Sequence, residues 1–145
     1  MKYSVDIEID LPRTRVIELF DNPDNLKHWQ PGLVSFDAIS GVPGEAGARS
    51  RLRYQMGKRE IEMIETITER NLPEVFAGTY EAKGVFNTVI NRFVPLPNDR
   101  TQWVLETEFQ FKGMMRLMGW LMPGAFKKQS CEFMQQFKAF AEKQS

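Results

Sequence analysis

Two reactive side chains are nearly missing from this sequence. It has one cysteine, Cys131, and one histidine, His28, in 145 residues. A lone thiol closes no intrachain disulfide, and without a Cys-x-x-Cys pair there is neither a dithiol redox couple nor a thiolate zinc site. One imidazole and one thiol are a poor ligand set for a first-row transition metal, so no metal site and no cofactor are expected. A cysteine nucleophile would need His28 to meet Cys131 from a distant part of the chain. Net charge is missing too. Nineteen Lys and Arg balance nineteen Asp and Glu, so no overall field draws the molecule to nucleic acid, which is not expected as a partner. No apolar run approaches the roughly 20 residues of a membrane span. The start, MKYSVDIEID, lacks the apolar core of a secretory signal. Stable membrane insertion is therefore not expected, and a cytoplasmic location is. The glycine-rich stretch GVPGEAG precedes a strand pattern and is followed by no lysine, which excludes a P-loop.

What is present is core material. The chain is 42% apolar and 12% aromatic, enough for a substantial interior in one domain spanning residues 1–145. Tyr3, Val5, Ile7 and Ile9 alternate with polar residues, which predicts a half-buried strand. Pro12 suits the first turn of a short helix carrying Val16, Ile17, Leu19 and Phe20. Asn22 can cap a second one with Leu26 and Trp29 on one side, ended by Pro31 and Gly32. From Leu33 to Phe111 the chain reads as strands and turns.

The clearest hairpin turns at Gly57 and Lys58. It sets Arg53 opposite Glu62 and Gln55 opposite Glu60 on a charged face, and Ser50, Leu52 and Tyr54 opposite Glu65, Met63 and Ile61 on a mostly apolar one. The basic run Arg49, Arg51, Arg53, Lys58 and Arg59 thus reads as a solvated sheet face rather than a phosphate site. Lys83 and Gly84 mark a second turn, and Pro95, Pro97, Asn98 and Asp99 a third. In the last strand Trp103, Leu105, Thr107, Phe109 and Phe111 face inward. After Gly113 the period lengthens, and Leu117, Leu121, Phe126, Ser130, Phe133, Phe137 and Phe140 trace one face of a long helix. Pro123 and Gly124 predict a kink or break between its Met-rich front and its regular rear.

The segments IDLPRTRVIELFDNPDNLKHWQPGL, GVPGEAGARSRLRY, ITERNLPEVFAGTY, NDRTQWVLETEF and the terminal FKAFAEK resemble, in order and over nearly the whole chain, the SRPBCC superfamily. These are the START-like and polyketide cyclase/dehydrase-like proteins related to the birch pollen allergen. The resemblance implies an α+β helix-grip fold: a curved antiparallel sheet of about seven strands wrapped around a long C-terminal helix, with two short helices after the first strand. It also implies a cavity between sheet and helix for a small hydrophobic or lipid-like molecule, and no universal catalytic residue. Members bind, carry, cyclise or hydrolyse, and the fold alone does not choose among these activities.

With that fold, the residue pattern expects an apolar cavity wall from Tyr54, Ile61, Met63, Trp103 and Leu105, continued by Thr107, Phe109, Met118, Met122 and Phe126. Glu65 falls on the same inward face. A carboxylate there either reaches water or an arginine, or serves as the polar anchor of a ligand or as a general acid or base. Tyr54 and Arg92 complete the candidate catalytic set of a cyclase or aromatase, or of a related hydrolase or lyase. Pairing counted from Lys83 and Gly84 leaves both faces open for Asn87, Asn91 and Arg92, whereas symmetric pairing about the proline turn places Arg92 inside with Trp103. His28 reads as a surface or structural residue, and Trp29 as a core plug. GMMRLMGWLMPGAFKK reads equally as core, as the mouth of a pocket through which a ligand passes Met118 and Met122, or as a segment in transient membrane contact through Arg116, Lys127 and Lys128.

Overall fold

The computed structural model describes residues 1–144; Ser145, the last residue of the expected domain, lies outside the described residues. Strand β1 (Lys2–Ile9) buries Val5 and Ile9, as its alternation requires. Helix α1 (Arg13–Phe20) follows Pro12, whose extended backbone puts it at the N-cap rather than inside the first turn. Asn22 Oδ1 accepts the Asp24 amide at 3.0 Å and starts a 3-10 turn (Pro23–Asn25). That turn runs into α2 (Leu26–Trp29). The strands β2 (Leu33–Ser40), β3 (Arg49–Met56), β4 (Arg59–Asn71), β5 (Val75–Ala82), β6 (Val85–Leu96) and β7 (Arg100–Phe111) come next, then α3 (Met114–Leu121) and α4 (Pro123–Lys143). The strands form one curved antiparallel sheet in the order β1-β7-β6-β5-β4-β3-β2, and with the long C-terminal helix they make the helix-grip fold.

Two turns keep the expected register. Gly57, at φ +64, closes a two-residue turn between Met56 and Arg59, and Ser50, Leu52 and Tyr54 pair with Glu65, Met63 and Ile61. On the outer face of this hairpin Arg51 Nε lies 2.6 Å from Glu62. The Lys83–Gly84 turn pairs Ala82 with Val85.

The proline turn does not keep it. β6 continues through Pro95 to Leu96, which pairs with Arg100, leaving a three-residue loop in which Asn98 and Asp99 take left-handed φ values of 64 and 55. The odd loop length shifts the pairing by one residue. Phe93, not Arg92, lies opposite Trp103, and Arg92 pairs with Val104. Arg92 is exposed on the outer face, its Nε 3.4 Å from Glu106, so the expectation of an inward Arg92 is corrected.

The long helical face is also divided. Met122, at φ −132 and ψ 53, separates α3 from α4, so Leu117 and Leu121 leave the core and are exposed. α4 rests chiefly on β1 and α2. Phe137, fully buried, meets Trp29 and Trp103 edge-on at centroid distances of 5.2 and 5.3 Å, and Phe20 joins the cluster at 6.1 Å. Phe137→Ala should therefore destabilise the fold by about 3–5 kcal/mol. Leu117→Ala, on the exposed part of the expected face, should stay within about 0.5 kcal/mol of wild type. Urea denaturation monitored by circular dichroism measures both, and equal effects would remove the distinction between the two helices.

Candidate functional site

The concave face of the sheet is packed unevenly. Toward α1 and α2, Phe93 and Trp103 are 2% and 1% exposed. Toward the opposite end Ile61, Met63 and Val89 are inward by register yet only half-buried, although Leu52, Tyr54 and Thr107 beside them are buried. Apolar side chains on a concave face that the helices leave incompletely covered are the material of a ligand pocket. A cleft of about 530 Å³ opens nearby, with Pro31, Gly32 and Met56 on one bank and Glu132, Phe133 and Gln136 of α4 on the other.

A polar row crosses this open part. Ser50 of β3 pairs with Glu65 of β4, Glu65 with Tyr80 of β5, and Tyr80 with Asn87 of β6. The Tyr80 hydroxyl donates to Glu65 Oε2 at 2.8 Å. Asn87 Nδ2 donates to Thr107 Oγ1 at 2.6 Å and to the Glu108 carbonyl at 3.0 Å. Tyr54 stands at the edge of the row, its hydroxyl donating to Gln30 Oε1 at 2.6 Å. Burial raises the pKa of Glu65 and outweighs the opposing effect of the Tyr80 hydrogen bond. Both tyrosines are pushed upward, first by burial and then by the charge of Glu65. Neither phenol is disposed to act as a base near neutral pH.

The structure brings some of the expected residues together and disperses others. Tyr54, Ile61, Met63, Glu65, Leu105, Thr107 and Phe109 share the concave face. Phe126 closes one end of it, tilted against Phe109 and Phe111 at 4.9 and 5.3 Å. Trp103 belongs to the packed aromatic core instead. Met118 and Met122 are 36% and 49% exposed and stand outside the interior. His28 is exposed and stacks on Phe140 at 5.0 Å. Tyr80 and Asn87 are the residues that the sequence reading did not select. The Lys83–Gly84 turn carried that information, since it fixes Tyr80 opposite Asn87 once either face is known.

Because the folded-state pKa of Glu65 is raised, the folded chain binds more protons than the unfolded chain between the two pKa values. Stability is then lost as pH rises through that window, and the loss is complete above the folded value. Glu65→Gln keeps an acceptor for Tyr80 and removes the charge. Its Tm should exceed that of wild type at pH 7, and the two should converge below about pH 4. A Tm difference that does not change with pH would mean that burial leaves this carboxyl unperturbed.

The family model described as polyketide cyclase/dehydrase and lipid transport matches residues 1–142. No curated protein sequence matches the chain. Among solved structures, the aromatase/cyclase ZhuI from Streptomyces sp. R1128 superposes with a TM-score of 0.82 at 15% identity, over 98% of this chain and 93% of its own. The protein Ara h 8.0201 gives 0.79 at 10% identity, over 99% and 98%. Norcoclaurine synthase from Thalictrum flavum, in complex with dopamine and hydroxybenzaldehyde, gives 0.75 at 14% identity, over 100% and 88%. Identities this low speak for the fold alone, while the match over residues 1–142 speaks for descent: the chain belongs to the polyketide cyclase/dehydrase and lipid transport family, within the SRPBCC superfamily.

Proposed function

We propose that this chain, as one domain of residues 1–145, binds and carries a small hydrophobic or lipid-like ligand between the concave face and the C-terminal helix. The observation that carries the reading is the unequal packing of that face. Phe93, Trp103 and Phe137 fill one end to exclusion of solvent, while Ile61, Met63 and Val89 remain half-buried at the other. Leaving apolar side chains incompletely covered forfeits roughly 25 cal/mol for each Å² that could be buried, and a ligand recovers it on binding. Ile61, Met63, Leu105 and Phe109 supply the apolar wall in this reading. Glu65 with Tyr80 orients a polar group of the ligand, and Phe126 closes the end toward α3.

A second reading, a polyketide cyclase or aromatase-like enzyme or a related hydrolase or lyase in the same cavity, is favoured by one observation. Glu65 is a carboxyl of raised pKa held by Tyr80 at 2.8 Å on the concave face. A protonated carboxyl so placed can donate to a developing enolate oxygen, and its conjugate base can take a proton from an activated carbon. Arg92, on the outer face, has no part in it.

Native mass spectrometry of freshly purified protein should show a noncovalent small-molecule adduct, and the emptied protein should take up an apolar fluorescent probe. Met63→Trp, which adds bulk to the open part of the face, should weaken probe binding by roughly tenfold or more, or about 1.4 kcal/mol. Uptake of no probe by wild type, or equal uptake by the variant, would overturn the binding reading. Under the enzyme reading, Glu65→Gln abolishes turnover of a poly-β-keto substrate and leaves probe binding intact.

A further inference from the structure

The exposed apolar surface of the chain is concentrated in one helix. Among the described residues, six of the eleven exposed large apolar side chains lie between Met114 and Met122. Met114, Leu117, Met118 and Leu121, spaced i, i+3, i+4 and i+7, form one face of α3, and Trp120 flanks it at 78% exposure. The side toward the protein is narrow. A Cβ on Gly119 would come within 2.5 Å of the Phe111 ring, and one on Gly84 within 2.9 Å of Met115 Cγ. The α3 backbone thus lies directly on Phe111, with Met115 seated over Gly84, and the broad apolar face is turned outward. A water-facing surface helix has the opposite polarity.

The charges around this face are of one sign. Between Glu108 and Glu132 there is no acidic residue, and Lys112, Arg116, Lys127 and Lys128 are all exposed. A chain with no net charge therefore carries only cations in the segment that holds its main apolar surface. A second copy of this chain would bring the same cations against each other, which disfavours self-association through α3. An apolar face containing Trp, Leu and Met with a lysine and arginine rim matches the boundary between anionic headgroups and acyl chains. No helix among the described residues is long and apolar enough to cross a membrane, so the fit is to the surface of a bilayer and not to its interior.

We propose that α3 is a peripheral docking site for anionic lipid bilayers, with Met114, Leu117, Trp120 and Leu121 at the acyl boundary and Lys112, Arg116, Lys127 and Lys128 among the headgroups. Trp120 is a built-in reporter, because Trp29 and Trp103 are 5% and 1% exposed. Vesicles of phosphatidylcholine with phosphatidylglycerol should float the protein and shift its tryptophan emission to the blue. Vesicles of phosphatidylcholine alone should do neither. Lys127→Gln and Lys128→Gln should each weaken partitioning roughly fivefold at low salt. Leu117→Ser with Trp120→Ala should abolish flotation without lowering Tm, since neither side chain is buried. The proposal is overturned by absence of flotation on anionic vesicles, by equal flotation on neutral ones, or by a dimer that Trp120→Ala dissociates in the absence of lipid.

Discussion

Phe137 is the point at which α4 is fixed to the rest of the molecule. Its ring gathers Trp29 of α2, Trp103 of β7 and Phe20 of α1, and Phe93 of β6 stacks on Trp103 from the other side at 6.1 Å. Five elements thus meet in one aromatic cluster. The indole of Trp103 brings a polar atom into that cluster, and the structure satisfies it. Trp103 Nε1 donates to Asn91 Oδ1 at 2.9 Å, and Asn91 Nδ2 donates in turn to the Phe76 carbonyl at 3.2 Å. A buried donor left without a partner costs about 1–3 kcal/mol, so Asn91 is what allows a tryptophan rather than a phenylalanine at the centre. Because α4 is anchored there and rests chiefly on β1 and α2, the inner faces of β4 and β5 are left partly uncovered.

That uneven cover explains where an ionisable group can be kept. Glu65 stands where burial is sufficient to raise its pKa, and where Tyr80 supplies a hydrogen bond to the charged form. The polar row Ser50, Glu65, Tyr80 and Asn87 therefore marks the boundary between filled core and open face. Asn87 belongs to the structural side of that boundary, because its amide is spent on Thr107 and on the Glu108 carbonyl.

Alternation made β1, β3, β4 and β7 legible in the sequence, since each has one inward, more apolar face and a period of two that states which it is. The Gly57–Lys58 turn then fixed the Tyr54, Ile61, Met63 and Glu65 face without further information. β5 and β6 resisted for a physical reason. Their residues are half-buried or buried on both faces through most of their length, so VFAGTYEA and VFNTVINRF carry apolar side chains on both sides and no clean alternation. The side then depends on loop parity, and Pro97, Asn98 and Asp99 make an odd loop through two left-handed residues that spacing alone does not reveal. Arg92 was misplaced and Tyr80 missed for that one reason. Leu117 and Leu121 failed differently, because apolar spacing reports a helix face but not whether protein or something else covers it.

The two ends of the sheet-helix interface are held with unequal strength, and this joins the pocket to α3. At the Phe137 end, rings from five elements and a satisfied indole are interlocked. At the other end the cover consists of four rings: Phe111 and Tyr3 stack on Phe109 at 5.8 and 6.0 Å, and Phe126 of α4 tilts against Phe109 and Phe111. The Tyr3 hydroxyl adds a hydrogen bond to the Phe126 carbonyl at 3.0 Å and one shared with Ser130 at 2.7 Å. Each aromatic pair there contributes about 0.5–1.5 kcal/mol beyond the area it buries, against about 3–5 kcal/mol for the loss of a fully buried ring such as Phe137. Displacing Phe126 is thus the less costly way to separate helix from sheet. Phe111, which it touches, is the ring on which the Gly119 backbone lies. The rings nearest α3, Phe111 with Phe126 and Phe109, are accordingly those at the open end of the concave face, and not those of the cluster that keeps the chain folded.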